Sequence, residues 1–316
     1  MQGGSHTPVL ALDIGGTKLA AGVVDSDGVV RSFAAVPSEA DRGPEPTLAR
    51  LFDLGRAAVA EAGIPWSQIE AIGIGCGGPL DAERGVLIVP PHLPGWRDVP
   101  VTDLAVREFE RPSALENDAT AAAAGEHRWG AGAGTRNMVY LTISTGVGGG
   151  VVIDGRLYRG AGGNGGELGH VTVDWRGRHC RGCGRRGCLE AYVSGTSIAE
   201  RAQEAGLEVA AAEEVAAAAR AGDPRATAVW DETLEALACG VTSIVNLFEP
   251  ELVVIGGGVS RSGEQLLGPV RELVRRDAMR AAGEVVRIVP SALGDHVGVV
   301  GAAAIVYERI EMDVHA

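Results

Sequence analysis

Three of the five cysteines fall in one short stretch, Cys180, Cys183 and Cys188, preceded by two histidines, His170 and His179. Three thiolates and one imidazole satisfy a tetrahedral zinc ion, and such a closed site holds structure without activating water. Spacing leaves either histidine free to complete the set. Gly182, Gly184 and Gly187 supply the tight turns that a short metal knuckle needs. Cys76 and Cys239 stand alone in apolar stretches and read as small buried hydrophobes.

Glycine carries a second chemistry. Asp13 ends an apolar run, and Gly15, Gly16, Thr17 and Lys18 follow it. Backbone N–H groups of glycines approach an anion with no β-carbon in the way, and Thr17 and Lys18 add donors. Asp13 is then placed to hold Mg²⁺ through water. The spacing is neither that of a Walker loop nor that of a dinucleotide turn. A second turn, with Thr145, Gly146 and Gly148, offers the same chemistry, and Gly256, Gly257 and Gly258 fit close approach to a base or ribose. Three such turns at strand ends point to a nucleotide.

Glu116, Asn117 and Asp118 precede an alanine-rich run. Asn or Asp there caps a helix, worth about 1 kcal/mol. One side chain can cap while the other, a carboxylate, takes a proton from a substrate hydroxyl.

The elements that must hold these residues follow from periodicity. Apolar runs at 9–13, 19–25 and 29–36, with Asp27-Gly28 as a hairpin turn, predict three antiparallel strands. Helical spacing at 46–62, 101–110 and 119–129 alternates with strands at 69–75 and 113–116, the order of an α/β protein. The opening then recurs: a run at 138–144, a glycine turn, a run at 151–153 and Asp154-Gly155. This weak internal duplication predicts two domains, 1–118 and 119–299. Helices at 197–205, 211–221 and 226–248, with strands at 252–255 and 286–289, fill the second.

The 316 residues are 46% hydrophobic and 22% charged, globular values. A net charge of −13 argues against nucleic acid, which needs clustered basic residues. Of 28 basic side chains only Lys18 is a lysine. No run reaches the roughly 20 apolar residues of a membrane span, and residues 1–8 lack the pattern of a secretion signal. A cytoplasmic protein is expected.

Seven segments occur in the order of one known family: ALDIGGTKLAAGVVD, GIGCGGPLD, LENDATAAAAGE, TISTGVGGGVVIDG, GGNGGELGHVTV, CRGCGRRGCLEAYVSG and ELVVIGGGVS. Together they resemble the ROK group (repressor, open reading frame, kinase), and its bacterial glucokinases in particular, over residues 8–309. The resemblance implies an actin-like ATPase fold, a duplicated ribonuclease H-like α/β architecture with an interdomain cleft, the first domain completed by a C-terminal helix at 300–316. It implies an ATP-dependent transfer of the γ-phosphate to the 6-hydroxyl of a hexose, with glucose the first acceptor. Other acceptors in such kinases would be N-acetylmannosamine, an amino sugar, fructose or a sugar-like cyclitol.

The resemblance also implies roles. ATP phosphates and Mg²⁺ fall to Asp13, Gly15, Gly16, Thr17, Lys18, Thr145, Gly146 and Gly148, and adenosine to Gly256, Gly257 and Gly258. Asp118 is the general base. Asn117, Glu167, His170 and Glu190 bind sugar hydroxyls, Gly78 adds a main-chain contact, and structural zinc sits on His170, Cys180, Cys183 and Cys188. A homodimer is implied by analogy. The family also holds repressors, but these need a helix-turn-helix domain, and only eight residues precede the first strand. Two departures stand out. Cys180 and Cys183 enclose two residues where the family has one, and His92 stands where glucokinases carry Asn. His92 reads as a solvent-facing loop residue, with the sugar pocket as the alternative.

Overall fold

Runs of Val, Leu, Ile and Ala broken by glycine build two five-stranded sheets, each with its own core. The computed structural model describes residues 7–314. Residues 1–6, read above as lacking a secretion signal, lie outside the described residues, as do the last two of the expected C-terminal helix.

In the first unit β1 (Val9–Ile14), β2 (Lys18–Val24) and β3 (Val30–Pro37) are joined antiparallel by tight turns. Next come α1 (Pro44–Glu61), β4 (Ile72–Cys76) and a small hairpin of β5 (Leu80–Asp81) and β6 (Val86–Leu87). Then follow α2 (Val101–Phe109), β7 (Ser113–Asn117) and α3 (Asp118–Trp129). The sheet order is β3-β2-β1-β4-β7, with β1, β4 and β7 parallel. β1 and β4 are covered on both faces, which is why they read as unbroken apolar runs.

The second unit repeats the plan. β8 (Met138–Ile143), β9 (Val147–Ile153) and β10 (Arg156–Leu157) are antiparallel, and the helices α4 (Glu190–Val193), α5 (Gly195–Glu204), α6 (Ala212–Arg220) and α7 (Pro224–Phe248) follow. β11 (Leu252–Gly256), α8 (Glu264–Asp277), α9 (Arg280–Val285) and β12 (Arg287–Pro290) complete it. Its order, β10-β9-β8-β11-β12, and its strand senses match those of the first sheet. The repeated sequence pattern is therefore a repeated fold unit. The chain ends in α10 (Val297–Val314), which packs on β1, β4 and α3 of the first unit.

The first unit runs to Gly134 and adds Arg159–Asn164 and the stretch from Ala292 onward; the second comprises Thr135–Tyr158 and Gly165–Ser291. The division at Asp118 expected from the duplication is thus displaced to Gly134, and 292–299 join the first unit. The reason is α3. Its residues 119–126 are all buried, and small alanines let it lie close against α10. The Glu126 carboxylate, fully buried, accepts N–H bonds from Ala131, Ala292 and Leu293 and locks both chain segments to the helix. A second expectation also fails: Cys239 is exposed, because the 3.6-residue period of α7 turns it outward while Ala238 and Val241 face the core. Among the described residues no helix is long and apolar enough to cross a membrane.

Glu126→Ala removes a fully buried acceptor from three backbone donors. It should lower stability by about 3 kcal/mol, read as a shift in the midpoint of urea unfolding.

Candidate active site

β1, β4 and β7 are parallel and end at one edge, the place where open α/β sheets present their chemistry. Asp13 lies opposite Gly75, and Gly75 opposite Glu116. As the last residue of β7, Asn117 caps α3: its side-chain oxygen accepts from the Ala119 and Thr120 N–H groups at 3.0 and 3.1 Å. Asp118 Oδ1 also accepts from Ala119 N, at 2.8 Å. Capping therefore falls mainly to Asn117, and Asp118 keeps a second oxygen for other partners. The Asn117 amide nitrogen points to Gly78, 3.8 Å from where a β-carbon there would sit.

Neither acid at this edge ionises easily. Asp118 keeps an exposed rim but sits in a crowded recess, and this desolvation raises its pKa against the opposing pull of the Ala119 N–H and His92. Burial, and then repulsion from Asp118, push Asp13 up to about 7, with Lys18 opposing. The N-terminal turn of α10 comes against Asp13 so closely that a β-carbon on Gly298 would lie 2.3 Å from Oδ2. In the adjoining turn Gly15 N donates to Lys18 O at 3.0 Å; Thr17 and Lys18 are exposed, and the Lys18 ammonium lies 5.9 Å from the Phe33 ring centre.

His92 does not face open solvent. Its ring lies over Gly77, its Nε2 is 4.0 Å from Cys76 Sγ, and its carbonyl oxygen backs onto Gly16. The loop folds inward because Leu93 and Trp96 beside it are buried in the first core. Burial holds the imidazole below its ordinary pKa.

In the second unit Thr145 and Gly258 line one recess of about 460 Å³ together with Ser144, Thr196, Glu200 and Gln203. Gly257, at φ +86°, brings the turn after β11 against β8: a β-carbon there would lie 2.4 Å from Ile143 O. The glycine turn after β8 and Gly256, Gly257 and Gly258 after β11 thus meet at the same strand ends. Gly146 and Gly148 are half-buried beside it. The short turn Leu168–His170 lies across β9, with Leu168 against Gly149.

That crossing brings His170 to the cysteines. Its ligand atom and the Sγ atoms of Cys180, Cys183 and Cys188 lie within 4.8 Å of one another. Nδ1 is 3.7 Å from Cys180 Sγ, and Cys183 Sγ is 3.4 Å from Cys188 Sγ. A tetrahedron with Zn–S of 2.3 Å has edges of about 3.8 Å, so donor types and spread fit zinc. His179 is exposed, pairs through its backbone with Arg186, and is outside the cluster. His170 Nε2 points the other way, 3.9 Å from the exposed Glu167 carboxylate. Glu190 is half-buried, with Oε2 accepting from Val147 N at 3.0 Å and Oε1 3.5 Å from Cys180 Sγ.

Sequence reasoning missed the recess wall on α5, whose Thr196, Glu200 and Gln203 look like ordinary helix-surface residues. It also missed Arg159, which donates to the buried Glu116 at 2.7 Å and to Glu308 at 2.8 Å and so braces the corner that carries Asp118.

The ROK family model matches residues 9–309. A glucokinase of Thermotoga maritima is 38% identical over 96% of this chain and 98% of its own. The crystal structure of a ROK hexokinase from Thermus thermophilus matches with a TM-score of 0.83 at 38% identity, covering 96% and 99%. A ROK family glucokinase from Streptomyces griseus, in complex with glucose and AMPPNP, matches at 0.78 and 36%, covering 94% and 98%.

The raised Asp13 pKa has a stability consequence. The folded protein keeps the Asp13 proton up to about pH 7, whereas an unfolded chain releases it near the ordinary aspartate value of 3.8. Unfolding therefore releases a proton across that window, and this acid costs stability as pH rises through it. In metal-free buffer Asp13→Asn should gain on the parent by about 2 kcal/mol between pH 4 and 8. Denaturant titrations at the two pH values check this.

Proposed function

This chain belongs to the ROK family, and from that footing we propose that it is an ATP-dependent hexose kinase with glucose as acceptor. The observation that carries the reading is the pair Asp13 and Asp118, two acids of raised pKa at the carboxyl ends of the parallel strands β1 and β7. Asp118 takes the proton of the 6-hydroxyl as that oxygen attacks the γ-phosphorus of ATP, and ADP leaves. A carboxylate whose pKa is raised toward neutrality is a better base than an ordinary one. Asp13, through water, meets the Mg²⁺ of Mg-ATP, whose charge offsets the cost of ionising a buried acid.

The remaining assignments follow the same chemistry. Gly15, Gly16, Thr17 and Lys18 of the first unit and Thr145, Gly146 and Gly148 of the second offer N–H groups and side-chain donors to phosphate oxygens. The recess beside Gly256, Gly257 and Gly258 takes the adenosine end. Asn117, whose amide nitrogen is left over from capping, binds sugar hydroxyls, as do Glu167, His170, Glu190 and the Gly78 main chain. His170, Cys180, Cys183 and Cys188 would hold a structural zinc, which supplies rigidity and no step of its own. With Nδ1 on the metal side, His170 presents Nε2 to a hydroxyl in a fixed tautomer. The charge of −13 supports a protein that does not bind nucleic acid. A cytoplasmic homodimer is the working form we propose.

Asp118→Asn should reduce kcat by about 10²-fold or more with glucose affinity within a few-fold of the parent; near-normal turnover would remove Asp118 as the base. Because His92 lies beside Asp118, ADP release should also be measured with N-acetylmannosamine, glucosamine, fructose and a cyclitol. Glucose is expected to give the highest kcat/KM. A tenfold preference for another acceptor, about 1.4 kcal/mol in transition-state binding, would replace it.

A further inference from the structure

Glu190 occupies an unusual position for a sugar ligand, because both of its oxygens already have protein neighbours. Oε2 accepts from Val147 N at 3.0 Å, the first residue of β9 and the exit of the glycine turn. A β-carbon on Gly146 would lie 2.9 Å from that same oxygen. Oε1 faces the knuckle, 3.5 Å from Cys180 Sγ and 2.5 Å from where a β-carbon on Gly182 would sit.

The backbone around Glu190 is fastened to the same turn. Ser194 N and Ser197 Oγ donate to Glu190 O at 3.2 and 3.0 Å. Gly195 N donates to Ser144 O at 2.7 Å, and Thr196 Oγ1 to Thr145 O at 3.0 Å. Arg181 of the knuckle also pairs with Glu200 of α5 at 2.6 Å, an exposed ion pair that adds little. Glu190 is therefore the half-buried link from the Cys180–Gly182 segment to the turn that leads into β9.

We propose that Glu190 is a positioning residue which transmits the order of the metal knuckle to the turn at Thr145, Gly146 and Gly148, so that metal occupancy sets nucleotide affinity. The inference rests on the reading of that recess as the nucleotide site. A knuckle closed by metal fixes the backbone from Cys180 to Gly182, and Gly182, packed against Oε1, sets the direction of the Glu190 carboxylate. The carboxylate in turn holds Val147 N and the turn before it in one arrangement. An open knuckle leaves the turn several arrangements, and the cost of choosing one is then charged to nucleotide binding. Linkage makes the coupling reciprocal, so bound nucleotide must retain the metal by the same factor.

The test is ADP binding by calorimetry, without sugar, on the full chain. Zinc-loaded parent is compared with chelator-stripped parent and with zinc-loaded Glu190→Ala and Glu190→Gln; zinc content and circular dichroism are recorded for each. Stripping the parent should weaken ADP about tenfold, and Glu190→Ala should do the same with zinc retained. Stripping Glu190→Ala should then add less than twofold, since the strut is already gone. Glu190→Gln keeps an oxygen for Val147 N and should bind ADP within twofold of the parent. A merely structural loss would not be rescued in this way. In equilibrium competition with a coloured chelator, ADP should also tighten zinc binding about tenfold in the parent and less than twofold in Glu190→Ala.

Equal ADP affinity in parent and Glu190→Ala, both zinc-loaded, overturns the strut and leaves the kinase reading standing. No ADP binding by the zinc-loaded parent removes the nucleotide site and this inference together. If stripping unfolds the chain, the comparison of zinc-loaded parent, Glu190→Ala and Glu190→Gln still decides.

Discussion

The first unit depends on keeping two acids where water solvates them poorly. A carboxylate in such a place resists ionisation, and two of them at one edge resist it more. Asp13 and Asp118 are held there by strong backbone devices: parallel strands that end together, a helix capped by Asn117, and the first turn of α10 pressed against Asp13. A cation near Asp13 and a proton given to Asp118 would each offset the cost of holding them there, and under the function proposed above Mg-ATP and an alcohol would bring them to a site whose work is positioning and charge compensation.

The second unit solves a different problem. Polyphosphate and adenosine need donors and a recess, and neither needs a shifted pKa. Glycine turns at the ends of β8 and β11 supply backbone N–H groups, and α5 supplies the wall. Beside the turn after β8 stand His170 and the three cysteines, a donor set that a zinc ion would close, removing the freedom of many residues at once.

Much of this was legible locally. The three opening strands, the alanine-rich helix and the apolar runs before each glycine turn all follow from periods of 2 and 3.6 and from turn chemistry, which act over a few residues. The cysteine cluster was legible too, since its spacing is itself short. The repeated hairpin foretold the repeated sheet. The unit boundary was not legible: α3 follows β7 without a break, and only its burial against α10, some 170 positions on, assigns it to the first unit. Cys239 misled because an apolar neighbourhood in sequence is not an apolar face in space.

The sequence by itself determined which residue types can act, the secondary elements that carry them and the family they come from, because those depend on composition, spacing and order along the chain. Only the tertiary structure decided that His170 and not His179 joins the cysteines, that Asn117 takes the larger share of the cap before α3, that His92 turns inward, and that Glu190 reaches Val147. Each of these is a choice among side chains of suitable chemistry that lie far apart in sequence. Packing of distant elements settles such choices, and no local preference records them.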